Sequence, residues 1–167
     1  MTTKLMKQMG LTFALVAGSM SAAFAATSND FVDKAAQSGI TEVEAGKLAL
    51  QKSSSADVKT FAQHMVDDHT KANQELMALA KKHDLEVPDD AALMDKAKKA
   101  ILKMRDESFD KAYANNQVNA HEEAVELFKK ESTSSDNAEL KAFATEKLPT
   151  LEKHLQMAKE LQSKYAK

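Results

Sequence analysis

The segment over residues 58–83 constrains the fold more than any other part of the chain. Its predicted inward positions follow one another at intervals of 4, 3, 4, 3, 4, 3 and 4 residues. This spacing places them on one face of an α-helix, and such a stripe needs a partner helix to cover it. His69 stands in the middle of the stripe, where Leu or Ile is expected. The positions are Val58, Ala62, Met65, His69, Ala72, Leu76, Leu79 and His83.

Three further long segments also have a helical period, and no segment alternates convincingly with the period of a β-strand. Long helices are predicted over about residues 29–52, 55–83, 106–131 and 136–166, with a shorter helix over about residues 90–103. Short turns join the first two and the last two long helices, whereas a long link joins the second to the third. We therefore predict an all-α fold, a four-helix bundle with a short extra helix in the link between helices two and three.

The composition agrees with a helical fold and narrows the classes of function. The 167 residues include no Cys, no Trp, 4 Gly and 2 Pro, which favours helices. Without cysteine the chain has neither disulfides nor thiolate chemistry. The 23 basic and 25 acidic residues nearly balance. Binding to nucleic acid would call for a clustered basic face, and the sequence does not suggest one. Protein partners and the oligomeric state cannot be inferred from the sequence.

The start of the chain has the organisation of a secretory signal peptide. Two lysines precede the short apolar stretch LTFALVAG, and AFA at residues 23–25 has the small-x-small pattern of a cleavage site. We predict a signal peptide at residues 1–25, a bundle domain at residues 26–167, and export to the periplasm. The apolar stretch is too short and interrupted for a membrane span, and no span is expected after cleavage.

Polar residues at inward positions of all four long helices indicate a metal site. Burying an imidazole without a partner costs about 1–3 kcal/mol, so an inward histidine needs a partner. One carboxylate and three imidazoles can together bind a single transition-metal ion, and zinc, copper and iron are all compatible. Asp68 is expected to accept the second N–H of its neighbour His69 and so to orient it. The predicted ligands are Glu42, His69, His121 and His154.

His154 is expected to lie at a different height along the bundle from the other three candidates. Counted from a turn near Thr133, His121 lies 12 residues back and His154 lies 21 residues forward. At 1.5 Å per residue, this difference corresponds to about 13 Å. Two alternatives therefore stay open for His154. It joins the same site if a kink at Pro149 or a longer turn reduces this difference, or it pairs with Asp110 or Tyr113.

The chain lacks the patterns of two enzyme classes. Di-iron carboxylate proteins carry a Glu-x-x-His pair on each of two helices. No acidic residue stands three positions before any of the five histidines, and the serines cluster in predicted loops without a base. We therefore expect no catalytic residues of these kinds, and a structural or storage role is favoured over catalysis.

Four stretches of the chain carry a resemblance to a known family. In this order, they resemble the bacterial family called domain of unknown function 4142, over essentially all of the chain after residue 25. The resemblance implies an exported, ferritin-like helical bundle without an established activity, often labelled an outer membrane protein. The stretches are FVDKAAQSGITEVEAGKLALQKS, VKTFAQHMVDDHTKANQEL, FDKAYANNQVNAHEEAVELF and LPTLEKHLQMAKEL. The family motifs fall on Glu42, Asp68, His69, Asp110, Tyr113, His121 and His154.

These observations leave three hypotheses about function. In the first, an exported bundle binds one transition-metal ion in its core and has a structural, storage or stress-related role. In the alternative, a metal-free periplasmic stress or interaction protein uses its histidines in a buried polar network with Asp68, Asp110 and Tyr113. A redox enzyme with an open metal position is the third.

Overall fold

A computed structural model describes residues 27–89, 92–95, 97–98 and 109–165, and most of these residues are helical. The all-α bundle predicted from the sequence is confirmed, and the described ends of the long helices lie within three residues of their predicted positions. One short parallel pairing joins β1 to β2. The elements are β1 (Thr27–Ser28), α1 (Asp30–Lys52), α2 (Ala56–Lys82), β2 (Leu85–Glu86), α3 (Phe109–Ser134) and α4 (Ala138–Tyr165).

The link between α2 and α3 contains helical residues at 92–95 and 97–98, where the short extra helix was predicted. Leu93 in this link is fully buried, and its carbonyl oxygen accepts a hydrogen bond from the side chain of Gln37. The link therefore packs against α1. The rest of the predicted short helix and the predicted signal peptide lie outside the described residues. No described helix combines the length and the apolar character that a membrane crossing requires.

The direction of each helix follows from the ends that share a hydrophobic cluster. The Phe31 cluster joins the starts of α1 and α4 to the ends of α2 and α3, and the Phe61 cluster joins the opposite ends. Because α2 and α3 thus run in the same direction, the link between them spans the bundle, as in ferritin-like folds with one crossover. The Phe31 cluster contains Phe31, Val32, Ala35, Ala36, Leu76, Ala80, Leu93, Ala124, Val125, Phe128, Leu140, Phe143, Ala144 and Leu151. The Phe61 cluster contains Ala45, Ala49, Val58, Phe61, Ala62, Met65, Tyr113, Ala114, Val118, Ala158 and Leu161.

A layer of buried polar side chains separates the two hydrophobic clusters. Each of the four long helices contributes to this layer, so it crosses the whole section of the bundle. Among the described residues, one further polar side chain, Ser53, is equally buried. Five of the six most deeply buried polar or charged side chains in the described part of the chain therefore lie at one height. The members of the polar layer are Glu42, His69, Gln117, His121 and His154.

Candidate metal centre

His69, His121 and His154 converge from three helices within the polar layer, and we call them the histidine trio. One ring nitrogen from each lies within 4.8 Å of the corresponding nitrogens of the other two. The ring centroids are 5.5–5.6 Å apart. Zinc binds imidazole nitrogen at about 2.0–2.1 Å, so each nitrogen needs to move by less than about 1 Å to bind one shared ion.

A backbone hydrogen bond fixes the tautomer of His121. Its Nδ1 lies 2.9 Å from the carbonyl oxygen of Gln117, four residues earlier on α3. Because a carbonyl oxygen can only accept, Nδ1 carries the proton and the lone pair of Nε2 is free. Nε2 is buried without a hydrogen-bond partner. Metal-binding histidines are commonly oriented through such a bond from the other ring nitrogen.

Asp68 fixes His154 in the opposite tautomer. The Nε2–H of His154 donates to Oδ2 of Asp68 at 2.9 Å, and Nδ1 is buried without a partner. The prediction that Asp68 orients His69 was wrong. Successive residues of an α-helix point about 100° apart, so Asp68 faces α4 while His69 points into the bundle.

Burial keeps two of the trio neutral at pH 7. The pKa of His69 lies well below its usual value because burial disfavours the charged ring and His121 and His154 repel it. The pKa of His154 is lowered to about 4 by burial and by His121, and Asp68 offsets only part of this shift. Neutral imidazole is the form that binds metal. Nε2 of His69 is also buried without a hydrogen-bond partner.

The height of His154 differs from the sequence-based expectation. Because α3 extends to Ser134, the turn before α4 is centred near Asp136. His121 then lies 15 residues before the centre and His154 lies 18 residues after it, a difference of about 5 Å rather than 13 Å. The structure therefore groups His154 with His69 and His121.

Glu42 lies in the polar layer but outside the trio. Its side chain is 2% exposed, and burial raises its pKa, although His121 and Gln117 lower it in part. Oε2 has no hydrogen-bond partner. No Glu42 oxygen belongs to the set of atoms that all lie within 4.8 Å of one another. Glu42 is therefore a buried carboxyl group beside the three imidazoles.

Tyr113 and Asp110 lie near the start of α3, on the side of the Phe61 cluster. Tyr113 is fully buried, and burial together with nearby Glu42 raises its pKa above the ordinary value. The hydroxyl of Tyr113 and Oδ1 of Asp110 are buried without partners. Because the hydrogen bond of His154 goes to Asp68, neither residue takes the pairing with His154 that the sequence left open.

Sequence reasoning did not include Gln117 among the site residues. Its carbonyl oxygen orients His121, and its side chain is fully buried. The side-chain amide lies near enough to Glu42 to lower the pKa of that carboxyl group, but within the described residues neither of its polar atoms makes a hydrogen bond of ordinary length. The available signal is its position four residues before an inward histidine, which places both on one helix face. A polar residue at that spacing marks the same layer.

A cavity of about 200 Å³ connects the trio with the surface on the side of the Phe31 cluster. Its lining includes the buried rings of His69 and His154 as well as the exposed residues Lys71 and Glu146. The cavity therefore borders two of the three rings of the trio, whereas their unpartnered nitrogens and Nε2 of His121 are buried.

The fold and the trio together define a class of protein, a single-crossover four-helix bundle with three convergent histidines in its core. The family model described as domain of unknown function (DUF4142) matches residues 15–161. The chain belongs to this family, as its resemblance predicted. Comparison with curated proteins and with solved structures gives no significant match.

Proposed function

We propose that the protein binds one transition-metal ion through Nε2 of His69, Nε2 of His121 and Nδ1 of His154. The observation that carries the proposal is the convergence of three buried rings, each with a nitrogen that lacks a hydrogen-bond partner. An unsatisfied buried polar group costs about 1–3 kcal/mol. A single ion satisfies all three nitrogens at once.

The donor set suits zinc, copper or iron(II), since all three bind neutral imidazole. Three protein ligands leave at least one coordination position open. A divalent ion in a buried layer also needs negative charge nearby. In this proposal Asp68 supplies part of it through His154. Glu42, a ligand in the sequence-based prediction, supplies the rest as a buried carboxylate that ionises when the ion binds.

The proposed role is structural, storage or stress-related binding of the ion in the periplasm. The localisation rests on the predicted signal peptide alone. A metal-free polar network is the second candidate, and it is favoured by the hydrogen bonds of His154 to Asp68 and of His121 to Gln117. The three unpartnered nitrogens favour the metal-binding proposal over this network.

Elemental analysis of the protein purified without a histidine tag tests the proposal. We expect about one ion per chain in the wild type and far less in His121→Ala, because the other two imidazoles bind an ion less tightly. His64→Ala is the matched control, since His64 is exposed on α2 and its loss leaves the trio intact. Circular dichroism establishes that both variants fold. Substoichiometric metal in the wild type, unchanged in His121→Ala, would contradict the proposal.

A further inference from the structure

We propose that the cavity beside the trio binds a small organic monocarboxylate with an apolar body, whose carboxylate takes the open coordination position of the ion. This inference rests on the proposed function and adds a ligand class to it. Four features of the cavity carry the inference: its position, its size, its lining and its charge.

The cavity borders two of the three rings of the trio. On the side of the Phe61 cluster, Glu42 and Gln117 are buried within the polar layer. On the side of the Phe31 cluster, the cavity reaches His69 and His154. In this proposal an ion held among the three nitrogens borders the cavity where the rings of His69 and His154 line it.

The size of the cavity excludes a bare inorganic anion as its complete occupant. An apolar cavity of about 150 Å³ accommodates benzene, so the observed volume of about 200 Å³ has room for a ring with one small substituent. A chloride or hydroxide ion at the open position leaves most of this space unfilled. The fit favours an organic ligand of the size of benzoate.

The lining combines a set of apolar side chains with polar residues, among them Ser38, Asn73 and Thr150. Aromatic and aliphatic side chains of the Phe31 cluster form the wall, where burial of a hydrocarbon body is favourable. His69 and His154 are the lining residues that belong to the trio, and in this proposal the ligand's charged group lies beside them. The apolar wall residues are Leu76, Ala124, Phe128, Phe143 and Leu151.

The charges favour a monoanion over a neutral molecule or a polyanion. Three neutral imidazoles bring no negative charge into direct contact with the ion, since Asp68 and Glu42 act from outside its ligands. A carboxylate at the open position supplies both an oxygen ligand and a negative charge in contact with the ion. At the rim of the cavity, the positive charges of Lys71 and Lys147 are balanced by the negative charges of Asp68 and Glu146. Lys147 is already paired with Glu75 and Glu146. The rim therefore offers no net positive charge to a second carboxylate.

Benzoate titration of the cobalt(II)-loaded protein tests the proposal, because the visible spectrum of cobalt(II) reports its coordination. We expect a saturable spectral change with benzoate, and at least about tenfold weaker binding of the neutral isostere benzamide. Metal-free protein is expected to bind benzoate at least about tenfold more weakly than the loaded protein in equilibrium dialysis.

The variant Ala72→Phe places a ring in the cavity from its half-buried wall. We expect it to weaken benzoate binding at least about tenfold and to leave cobalt(II) affinity unchanged. Ala78→Phe is the matched control, since Ala78 is exposed on the same helix and does not line the cavity; it should change neither. Circular dichroism confirms that both variants are folded.

The outcomes separate this inference from the proposed function. Cobalt(II) uptake near one ion per chain without a benzoate-induced spectral change overturns the inference and leaves the metal site standing. Equal benzoate binding with and without cobalt(II), or by wild type and a folded Ala72→Phe variant, also overturns it. Failure of the wild type to bind cobalt(II), zinc or copper overturns both.

Discussion

Asp68 holds the ring of His154 from the surface of the bundle. Its carboxylate accepts the Nε2–H at 2.9 Å while the side chain is 47% exposed. Asp68→Ala removes the group that sets the tautomer and orientation of the ring. We expect metal affinity to fall about 10–100-fold, with little change in the stability of the metal-free protein. A competition titration with a chromophoric chelator measures the affinity.

Asp67→Ala is the matched control for this prediction. Asp67 is exposed and carries the same charge, and within the described residues it accepts a side-chain hydrogen bond only from Gln63 on its own helix. We expect its loss to leave metal affinity nearly unchanged. An equal decrease in both variants would assign the effect to net charge rather than to the orientation of His154.

The sequence predicted the members of the trio but not all of their contacts. Helical spacing alone predicted that His69 points into the bundle. The inward positions of His121 and His154 were predicted from the apolar residues next to them. The partner of Asp68 depends on rotation about a helix axis, and the height of His154 depends on where α3 ends. An error of three residues in the centre of the turn changes the relative height of His121 and His154 by about 9 Å, which is enough to separate a ligand from its site.

The ends of the helices show why this boundary was difficult to predict. Ser132, Thr133 and Ser134 look like the start of a linker, yet they form the last turn of α3. Their hydroxyls donate to the carbonyl oxygens of Lys129 or Lys130 in the preceding turn. Such residues are ambiguous in sequence because the same hydroxyls also favour turns. The two-residue strands were missed because they are too short to show a period.

At Gly46 the backbone of α1 lies close to the backbone of α2. A Cβ atom there would lie 2.9 Å from the carbonyl oxygen of Ala62 and 2.9 Å from Cγ2 of Val66. In Gly46→Ala the helix gains up to about 1 kcal/mol from propensity, but overpacking costs about 1–3 kcal/mol. We expect a net decrease of about 1 kcal/mol in the free energy of unfolding, measured by urea denaturation.

Gly39→Ala provides the comparison on the same helix. Its Cβ would meet only the side chain of Asn73, which can rotate away. Helix propensity then dominates, and we expect the free energy of unfolding to stay equal or to increase. If both alanine variants lose the same stability, the close backbone approach at Gly46 is not the cause.

Glu139 joins the end of α2 to the start of α4. Its carboxylate accepts hydrogen bonds from Lys82 at 2.7 Å and His83 at 3.2 Å, and both interactions lower its pKa below 4.5. Because the pKa is lower in the folded state, the ionised carboxylate stabilises the fold at pH values above the unfolded-state pKa. This contribution disappears as the pH falls through the folded-state pKa. Glu139→Gln should therefore slightly lower Tm at neutral pH.

Thermal unfolding across a pH series checks this sign. The Tm difference between wild type and Glu139→Gln should be small, since the group is exposed, and should vanish in acid. A difference that grows as the pH falls below 4.5 would contradict the assignment of the ion pairs as the source of the stability.

At the scale of the whole molecule, the polar layer divides the core into the Phe31 and Phe61 clusters. Without a metal ion, this layer contains buried polar atoms without partners. Replacing His69, His121 and His154 together by Leu joins the two clusters. We expect the triple variant to bind no metal and to be more stable than the metal-free wild type by roughly 2 kcal/mol or more.

Urea denaturation with a chelator and with added zinc measures both parts of this prediction. Zinc should stabilise the wild type by about 4 kcal/mol at a free concentration 1,000 times its Kd, and should leave the triple variant unchanged. A triple variant that is less stable than wild type in chelator would show that the polar layer stabilises the fold by itself, as a metal-free network does.

The single crossover also separates the three histidines along the chain. His69 lies in the α1–α2 hairpin, whereas His121 and His154 lie in the α3–α4 hairpin. Neither hairpin contains all three histidines, so a complete site forms only when the two hairpins pack together. Because unfolded chains have no preformed site, the compartment in which folding finishes would decide which ion is bound. Metal uptake during refolding would then report the docking of the two hairpins.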